Sequence, residues 1–377
     1  MSAPSIFLSA GETSGDLHGS ALARALRERW PDARLFGLGG DRMAAEGVEL
    51  LAHTDQLAVM GLVEVLRHLP FFVGLMDRVQ NEIRRRNPQL VIPIDYPGFN
   101  LRLARRARKF GIPVLYYIAP QVWAWHRSRM REMAANTNRL AVVLPFEEGL
   151  FREAGADARF VGHPLLDMPA MPAGRENLCA GLGLDPTRPI LALFPGSRSQ
   201  EIARHLELFS EAARRVRDAD PTMQPVFAAA PGIDADVYRR TGFPFTRDAD
   251  GLLAHARGAL VKSGTTTLQT ALAGVPMVIT YRLHPLTYRI AKRLVSVPHI
   301  GLANLIAGER LMPELVQDEA TPESLAVALL PLLRDGSQRE AALGGLTRVR
   351  KKLAGPADGQ TTAQRVASMA AQLIEAR

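Results

Sequence analysis

Residues 90–100 read Leu-Val-Ile-Pro-Ile-Asp-Tyr-Pro-Gly-Phe-Asn. A short apolar run from Leu90 to Ile94 ends on one carboxylate, Asp95, with Pro88 before it and Pro97-Gly98 after it. Runs of that length and composition form buried strands of parallel sheets. The spacing predicts a helix next, with Asn100 as N-cap and Leu101, Leu103, Ala104 and Ala107 on one face. A carboxylate between such a strand and such a helix stands at the sheet edge where open α/β folds bind ligands. An aspartate capping a turn has the same local signature, so the remainder of the chain must decide.

A second group of residues suits an anion. Gly258 to Val261 reads as a strand, Lys262-Ser263-Gly264-Thr265-Thr266-Thr267 as a turn, and the stretch through Gln269 to Ala273 as a helix. Unpaired N–H groups and the dipole at such a helix start favour a phosphate. Arg198 follows another strand, Pro189 to Phe194, on the turn Pro195-Gly196-Ser197-Arg198. It adds a planar, permanently charged fork. A Ser/Thr-rich cap explains either loop alone, while the pair suggests a nucleotide diphosphate. A weaker candidate is Gly11-Glu12-Thr13-Ser14-Gly15-Asp16, between the strand Ser5 to Ala10 and a helix over Leu17 to Arg29. Its N–H groups can meet an anion or a sugar hydroxyl, but it matches neither common nucleotide motif, and a tight turn explains it as well.

These residues need two frames. At 377 residues the chain exceeds one ordinary core, and 47% hydrophobic content supplies two. Strands alternate with helices in both halves, the signature of doubly wound sheets. The expected division is residues 1–165, a linker over 166–174 containing Pro169 and Pro172, then 175–355, with a helix over 356–377 packing back on the first domain. The two sheets are expected to face one another across a cleft. Trp123, Trp125 and His126, after the strand Ile112 to Ile118, suggest a cleft wall, though core packing explains one tryptophan.

Composition excludes several classes. The single cysteine, Cys179, rules out intramolecular disulfides and cysteine-cluster metal sites, and it fits a reducing compartment. No Asp-x-Asp pair is assigned to a metal, and no cofactor is expected. The net charge of +8 permits an anionic partner. Only five of the 46 basic residues are lysine, and no nucleic-acid module or aromatic ladder accompanies them, so nucleic acid is not expected. No basic-headed signal peptide opens the chain, and no apolar run reaches the roughly 20 residues of a membrane span. Residues 59–76 are nonetheless unusually apolar, with Met60, Leu62, Val63, Leu66, Leu69, Phe71, Phe72 and Leu75 interrupted by Arg67 and His68. They read either as a buried helix pair or as an exposed patch for acyl chains or a membrane surface.

Seven stretches, at residues 10–16, 37–43, 58–66, 94–100, 120–125, 193–198 and 304–308, together resemble the bacterial lipid-A-disaccharide synthases. They keep that family's order over nearly the whole chain. The resemblance implies a two-domain glycosyltransferase of the GT-B type. It would join UDP-2,3-diacylglucosamine to 2,3-diacylglucosamine 1-phosphate through a β-1,6 bond, with inversion and release of UDP. It further implies metal independence, a peripheral position at the inner face of the cytoplasmic membrane of a Gram-negative bacterium, and a homodimer that exchanges C-terminal parts. The aspartate matching Asp95 is the family's proposed base. Arg198, Ser263, Gly264 and Thr265 would hold UDP, and Glu12, Ser14 and Asn304 would position substrate. One residue departs from the pattern: Gln269 stands where the family usually has a glutamate for the ribose hydroxyls. The competing readings are another GT-B enzyme of UDP-N-acetylglucosamine, either a peptidoglycan-precursor transferase or a 2-epimerase, and a non-catalytic binding protein.

Overall fold

The strand β1 (Ser5–Ala10) carries Ile6, Phe7 and Leu8, and all three are fully buried. Such a strand must sit inside a sheet covered on both faces. The computed structural model describes residues 3–57, 69–124, 127–168, 174–284, 288–289 and 297–376, and the chain forms two units. Unit 1 comprises Met1–Asp167 and Leu353–Arg377, and unit 2 comprises Met168–Lys352.

In unit 1 a seven-stranded sheet has the order β3-β2-β1-β4-β5-β6-β7. The other members are β2 (Arg34–Gly39), β3 (Glu49–His53), β4 (Leu90–Ile94), β5 (Leu115–Tyr117), β6 (Arg139–Val142) and β7 (Ala158–Phe160). Every pairing is parallel. The order reverses between β1 and β4, which opens a crevice at their carboxyl ends. Phe7 and Phe36 meet edge to face at 5.3 Å in the core between the sheet and the helices Leu69–Arg86 and Pro97–Lys109.

The helix after β4 starts earlier than the sequence predicts. Tyr96, not Asn100, is its N-cap, and Pro97 takes the first turn. Proline is preset for that position, where no N–H partner is needed. Asn100 is buried inside the helix, and its amide donates to the carbonyls of Ser9, Ile94 and Asp95. The helix Thr362–Glu375 belongs to unit 1 and packs on the helix Thr13–Arg29. Its Arg365 donates to the carbonyls of Val161 and Pro356 and pairs with Asp358. Nearby, Gly162 and Gly355 bring two backbone segments so close that a Cβ on Gly355 would lie 2.9 Å from the Gly162 Cα.

Unit 2 holds a six-stranded sheet in the order β10-β9-β8-β11-β12-β13. Its strands are β8 (Ile190–Phe194), β9 (Gln224–Ala228), β10 (Phe245–Thr246), β11 (Ala256–Lys262), β12 (Met277–Tyr281) and β13 (Glu314–Val316). All pair in parallel, and the order reverses between β8 and β11. Both β8 and β11 run into the turns singled out as anion loops. β10 and β13 are edge strands of two and three residues with no apolar run behind them, so pattern alone does not reveal them.

Asp16 ties the first loop of unit 1 to the second. Its carboxylate accepts from the N–H groups of Gly40 (2.7 Å), Met43 (3.0 Å) and Arg42 (3.1 Å) at the start of the helix Asp41–Ala45. Asp16→Ala would leave these donors without that acceptor, at a cost of about 2–3 kcal/mol. Urea unfolding should show a lower midpoint; an unchanged midpoint would mean that water replaces the carboxylate fully.

Candidate active site

Asp95 leaves β4 with φ of 46°, and Tyr96 follows with φ of 50°. Two successive non-glycine residues in the left-handed region cost of order 1–3 kcal/mol each and need external support. The support is present on the backbone. The Asp95 N–H donates to the Tyr117 carbonyl (3.0 Å), and the Asp95 carbonyl accepts from the Tyr116 hydroxyl (2.7 Å) and the Asn100 amide (2.8 Å). The Tyr96 hydroxyl reaches the Leu57 carbonyl (3.0 Å). Its ring lies against Gly11, where a Cβ would stand 2.2 Å from the ring. Gly11 is therefore required for close approach between the loops after β1 and β4.

The Asp95 carboxylate is half-buried. Burial pushes its pKa up to about 6, the charge of Glu12 adds to the rise, and a hydrogen bond from the Tyr96 backbone opposes it. Glu12 is exposed as the N-cap of the helix Thr13–Arg29, and Ser14 is exposed in its first turn. The structure thus brings Glu12 and Asp95 together at the switch point of the unit 1 sheet. Asp16 of the same motif is committed to backbone, as described above.

Several groups around Asp95 escaped the sequence reading. Glu147 is buried; burial raises its pKa to about 7, hydrogen bonds oppose the rise, and the charge of Asp95 adds to it. Its carboxyl accepts from the Trp123 indole N–H (2.9 Å) and the Leu144 N–H (3.1 Å). Trp123 is therefore a buried anchor, stacked edge to face on Phe146 at 4.9 Å, and not an open wall. Trp125 and His126 lie outside the described residues. Glu147 had a usable signal, since it follows β6 through Leu144-Pro145-Phe146 much as Asp95 follows β4. His18 and His163 also cluster in unit 1. Burial lowers His18 to about 4, and burial together with the charge of His18 lowers His163 to about 3.

In unit 2 the turn after β8 carries Gly196 at φ 128°. A Cβ there would collide with Glu201 at 2.6 Å. Glu201 folds back from the helix Ser199–Ala219 and accepts from the N–H groups of Ser197 (3.0 Å) and Arg198 (3.4 Å). Its other oxygen accepts from Lys262 Nζ (2.8 Å), at the end of β11. Burial pushes the Glu201 carboxyl up, and the hydrogen bonds from Lys262 and Ser197 more than offset this, leaving it below its ordinary value. The Arg198 side chain is 70% exposed, with its guanidinium 3.9 Å from Glu201. One ion pair therefore joins both anion loops.

The other predicted residues divide. Gly264 caps the helix Thr265–Leu272, and Gly264 and Thr265 are exposed at its start, while Gln269 is half-buried one turn on. Ser263 is committed elsewhere: its N–H donates to Thr280 and its hydroxyl to Ile300 (2.8 Å each). Asn304, expected to position substrate, stands inside a polar network of the protein. It is fully buried, its amide donates to Met312 and Glu314, and its oxygen accepts from the Met312 N–H, all at 2.8 Å. It fixes the segment ahead of β13. Three Asp-x-Asp spacings exist, at 218/220, 234/236 and 248/250. Asp220, Asp234 and Asp248 accept from Thr222, Asp236 and Gly251 in turns and caps. Among the described residues no cluster of His, Cys, Asp and Glu is arranged to hold a metal.

The architecture is shared with solved enzymes. The calicheamicin glycosyltransferase is 17% identical, with a TM-score of 0.63 over 100% of this chain and 99% of that one. The UDP-GlcNAc 2-epimerase of Neisseria meningitidis, solved with UDP-GlcNAc, is 7% identical, with a TM-score of 0.59 over 99% of both. These likenesses define the class: two Rossmann-like α/β domains of the GT-B fold, as the sequence predicted. The sequence goes further, because residues 6–354 match the family model "Lipid-A-disaccharide synthetase". Lipid-A-disaccharide synthases of Acidobacterium capsulatum (41% identical, over 100% of this chain and 98% of the relative) and Coxiella burnetii (39%, over 99% and 100%) align along their full length. The chain belongs to the lipid-A-disaccharide synthase family, glycosyltransferases of lipid A biosynthesis.

The buried histidines make stability depend on pH. His18 and His163 hold fewer protons folded than unfolded, because their folded pKa values of about 4 and about 3 lie below the unfolded 6.5. Their contribution to stability is complete above the unfolded value and is lost as pH falls from about 6.5 toward the folded values. Asp95 and Glu147, with raised values, act in the opposite sense. Comparison with His163→Gln isolates the histidine: the melting temperature of the wild type should fall more steeply below about pH 6.5 than that of the variant. Parallel slopes would remove His163 as a contributor.

Proposed function

We propose that this chain transfers a 2,3-diacylglucosaminyl group from UDP to the 6-hydroxyl of 2,3-diacylglucosamine 1-phosphate, forming the β-1,6-linked disaccharide and UDP. The family membership supports the reaction, and Asp95 carries the mechanism. In this reading Asp95 takes the acceptor hydroxyl proton as the oxygen attacks the anomeric carbon from the face opposite UDP. A base with a pKa of about 6 is ionised at neutral pH yet basic enough to accept that proton. Glu12 and Ser14 would orient the acceptor beside it. UDP departs with growing negative charge, which positioned donors must stabilise. Arg198 and the N–H groups at Gly264 and Thr265 would serve there, while Gln269 would accept from a ribose hydroxyl without charge assistance.

The test is turnover with UDP-diacylglucosamine and the diacylglucosamine 1-phosphate acceptor, read by product mass. Asp95→Asn should lower kcat about 10²–10⁴-fold while UDP binding persists. In the wild type, the rate should fall with decreasing pH below about 6, where Asp95 protonates, and level off above it. A variant with near-normal kcat would dismiss Asp95 as the base; formation of a different product would dismiss the reaction itself.

The acyl chains of both substrates call for a membrane surface, and on the family resemblance this would be the inner face of the cytoplasmic membrane, with the protein bound peripherally. Among the described residues no helix is long and apolar enough to cross a membrane. Of the apolar stretch, residues 58–68 lie outside the described residues. The remainder divides: Leu75 and Met76 are core, Phe72 packs against the core, and Phe71 (39%) and Val73 (56%) are exposed. Arg78 is exposed on the same helix within two turns of Phe71 and Val73, and apolar groups near a basic one suit an anionic bilayer surface. Phe71→Ser with Val73→Ser should reduce co-sedimentation with anionic vesicles and leave the melting temperature nearly unchanged, whereas altering Phe72 would also destabilise the fold. Full vesicle binding by the double variant would place the membrane contact elsewhere. A homodimer completes the reading on the resemblance alone.

A further inference from the structure

Lys262 ends β11, and its ammonium sits at the root of the turn that leads into the helix Thr265–Leu272. Three distances describe its setting. Nζ donates to Glu201 Oε1 at 2.8 Å, stands 4.9 Å from the centre of the Tyr281 ring, and would lie 3.8 Å from a Cβ placed on Gly264. The Lys262 and Glu201 side chains are only 13% and 15% exposed, so this is a largely desolvated pair. Glu201 meanwhile holds the N–H groups of Ser197 and Arg198, on the turn that carries the Arg198 side chain. The carboxylate therefore occupies the loop after β8 much as a phosphate would, between two cations, Lys262 at 2.8 Å and Arg198 at 3.9 Å.

An ammonium on a four-carbon stem has three donors and can exchange partners by rotation. One donor meets Glu201, and the otherwise open position of a Cβ on Gly264 lies 3.8 Å from the same nitrogen. A diphosphate bound at the start of the helix Thr265–Leu272 carries more charge than Glu201 and would compete for the lysine. We propose that Lys262 is a second cation for the diphosphate, held by Glu201 until the donor substrate binds and then shared with the phosphate nearest Gly264. This rests on the reading of unit 2 as the UDP-sugar site. It assigns Glu201 the part of a positioning residue that stores the lysine and shapes the Arg198 turn. The alternative is a purely structural ion pair that locks two loops.

The two differ in what a lysine does once Glu201 has lost its charge. Calorimetry would measure UDP and uridine binding by the wild type, Glu201→Gln, and Glu201→Gln with Lys262→Met. The double variant leaves no unpaired buried charge, so it should fold. If Lys262 meets the diphosphate, Glu201→Gln should bind UDP as tightly as the wild type or tighter. Adding Lys262→Met should then weaken UDP about tenfold to a hundredfold, the range of a hydrogen bond to a charged group, while uridine is unaffected. Glu201→Gln alone binding UDP as weakly as the double variant, or the double variant binding UDP as tightly as Glu201→Gln, would overturn the proposal and leave a structural lock. A wild type that binds uridine and UDP equally, or neither, would instead overturn the placement of UDP in unit 2, and this inference with it.

Discussion

The site in unit 1 depends on holding two left-handed residues where glycine would sit more easily. Asp95 and Tyr96 turn the chain sharply between β4 and its helix, which sends the Asp95 carboxylate toward the crevice. The Tyr116 hydroxyl, the Asn100 amide and the Tyr117 carbonyl together offset the strain. All three partners come from neighbouring strands or the following helix, so the orientation of the acid is set by the sheet itself. Burial of the carboxylate, with the charge of Glu12 beside it, then lifts its pKa. Strain, burial and basicity are thus one arrangement seen three ways.

Unit 2 solves a different problem. The turn after β8 carries N–H groups that need an acceptor to remain ordered. Glu201 supplies an internal acceptor for those groups, and Gly196 makes room for its side chain. His205, fully buried on the same helix, extends the arrangement. Its Nε2 accepts from the Arg282 N–H (3.0 Å), so Nδ1 carries the proton and donates to the Glu201 carbonyl (2.7 Å). Strands β8, β11 and β12 are connected through these few side chains.

Much of this was legible in the sequence because it rests on local pattern. The apolar runs at 90–94 and 190–194 are strands because they are buried on both faces, and the turns that follow them carry Asp95 and Arg198. What escaped were long-range polar pairings. Nothing near Asn100 announces that its amide spans from β1 to β4 across 91 positions, and nothing near Asn304 announces Glu314 and a buried network. Both residues read as a cap or a ligand contact because an asparagine pattern does not say which donor lies opposite. The sequence left Phe71 and Phe72 undivided for a similar reason: neighbours on one helix turn face different environments, and only the packed core tells Phe71 from Phe72.

The helix Thr362–Glu375 belongs to the unit whose strands all precede residue 168. During synthesis the ribosome therefore delivers every strand of unit 1, then all of unit 2, and only afterwards the helix that covers the helix Thr13–Arg29 and carries Arg365. At about 5–20 residues per second that helix emerges some ten to forty seconds after the strands it protects. Unit 2 can close first, although it starts later. The opening domain must wait with an apolar face uncovered, so a chain interrupted near its end would damage the domain made at its beginning.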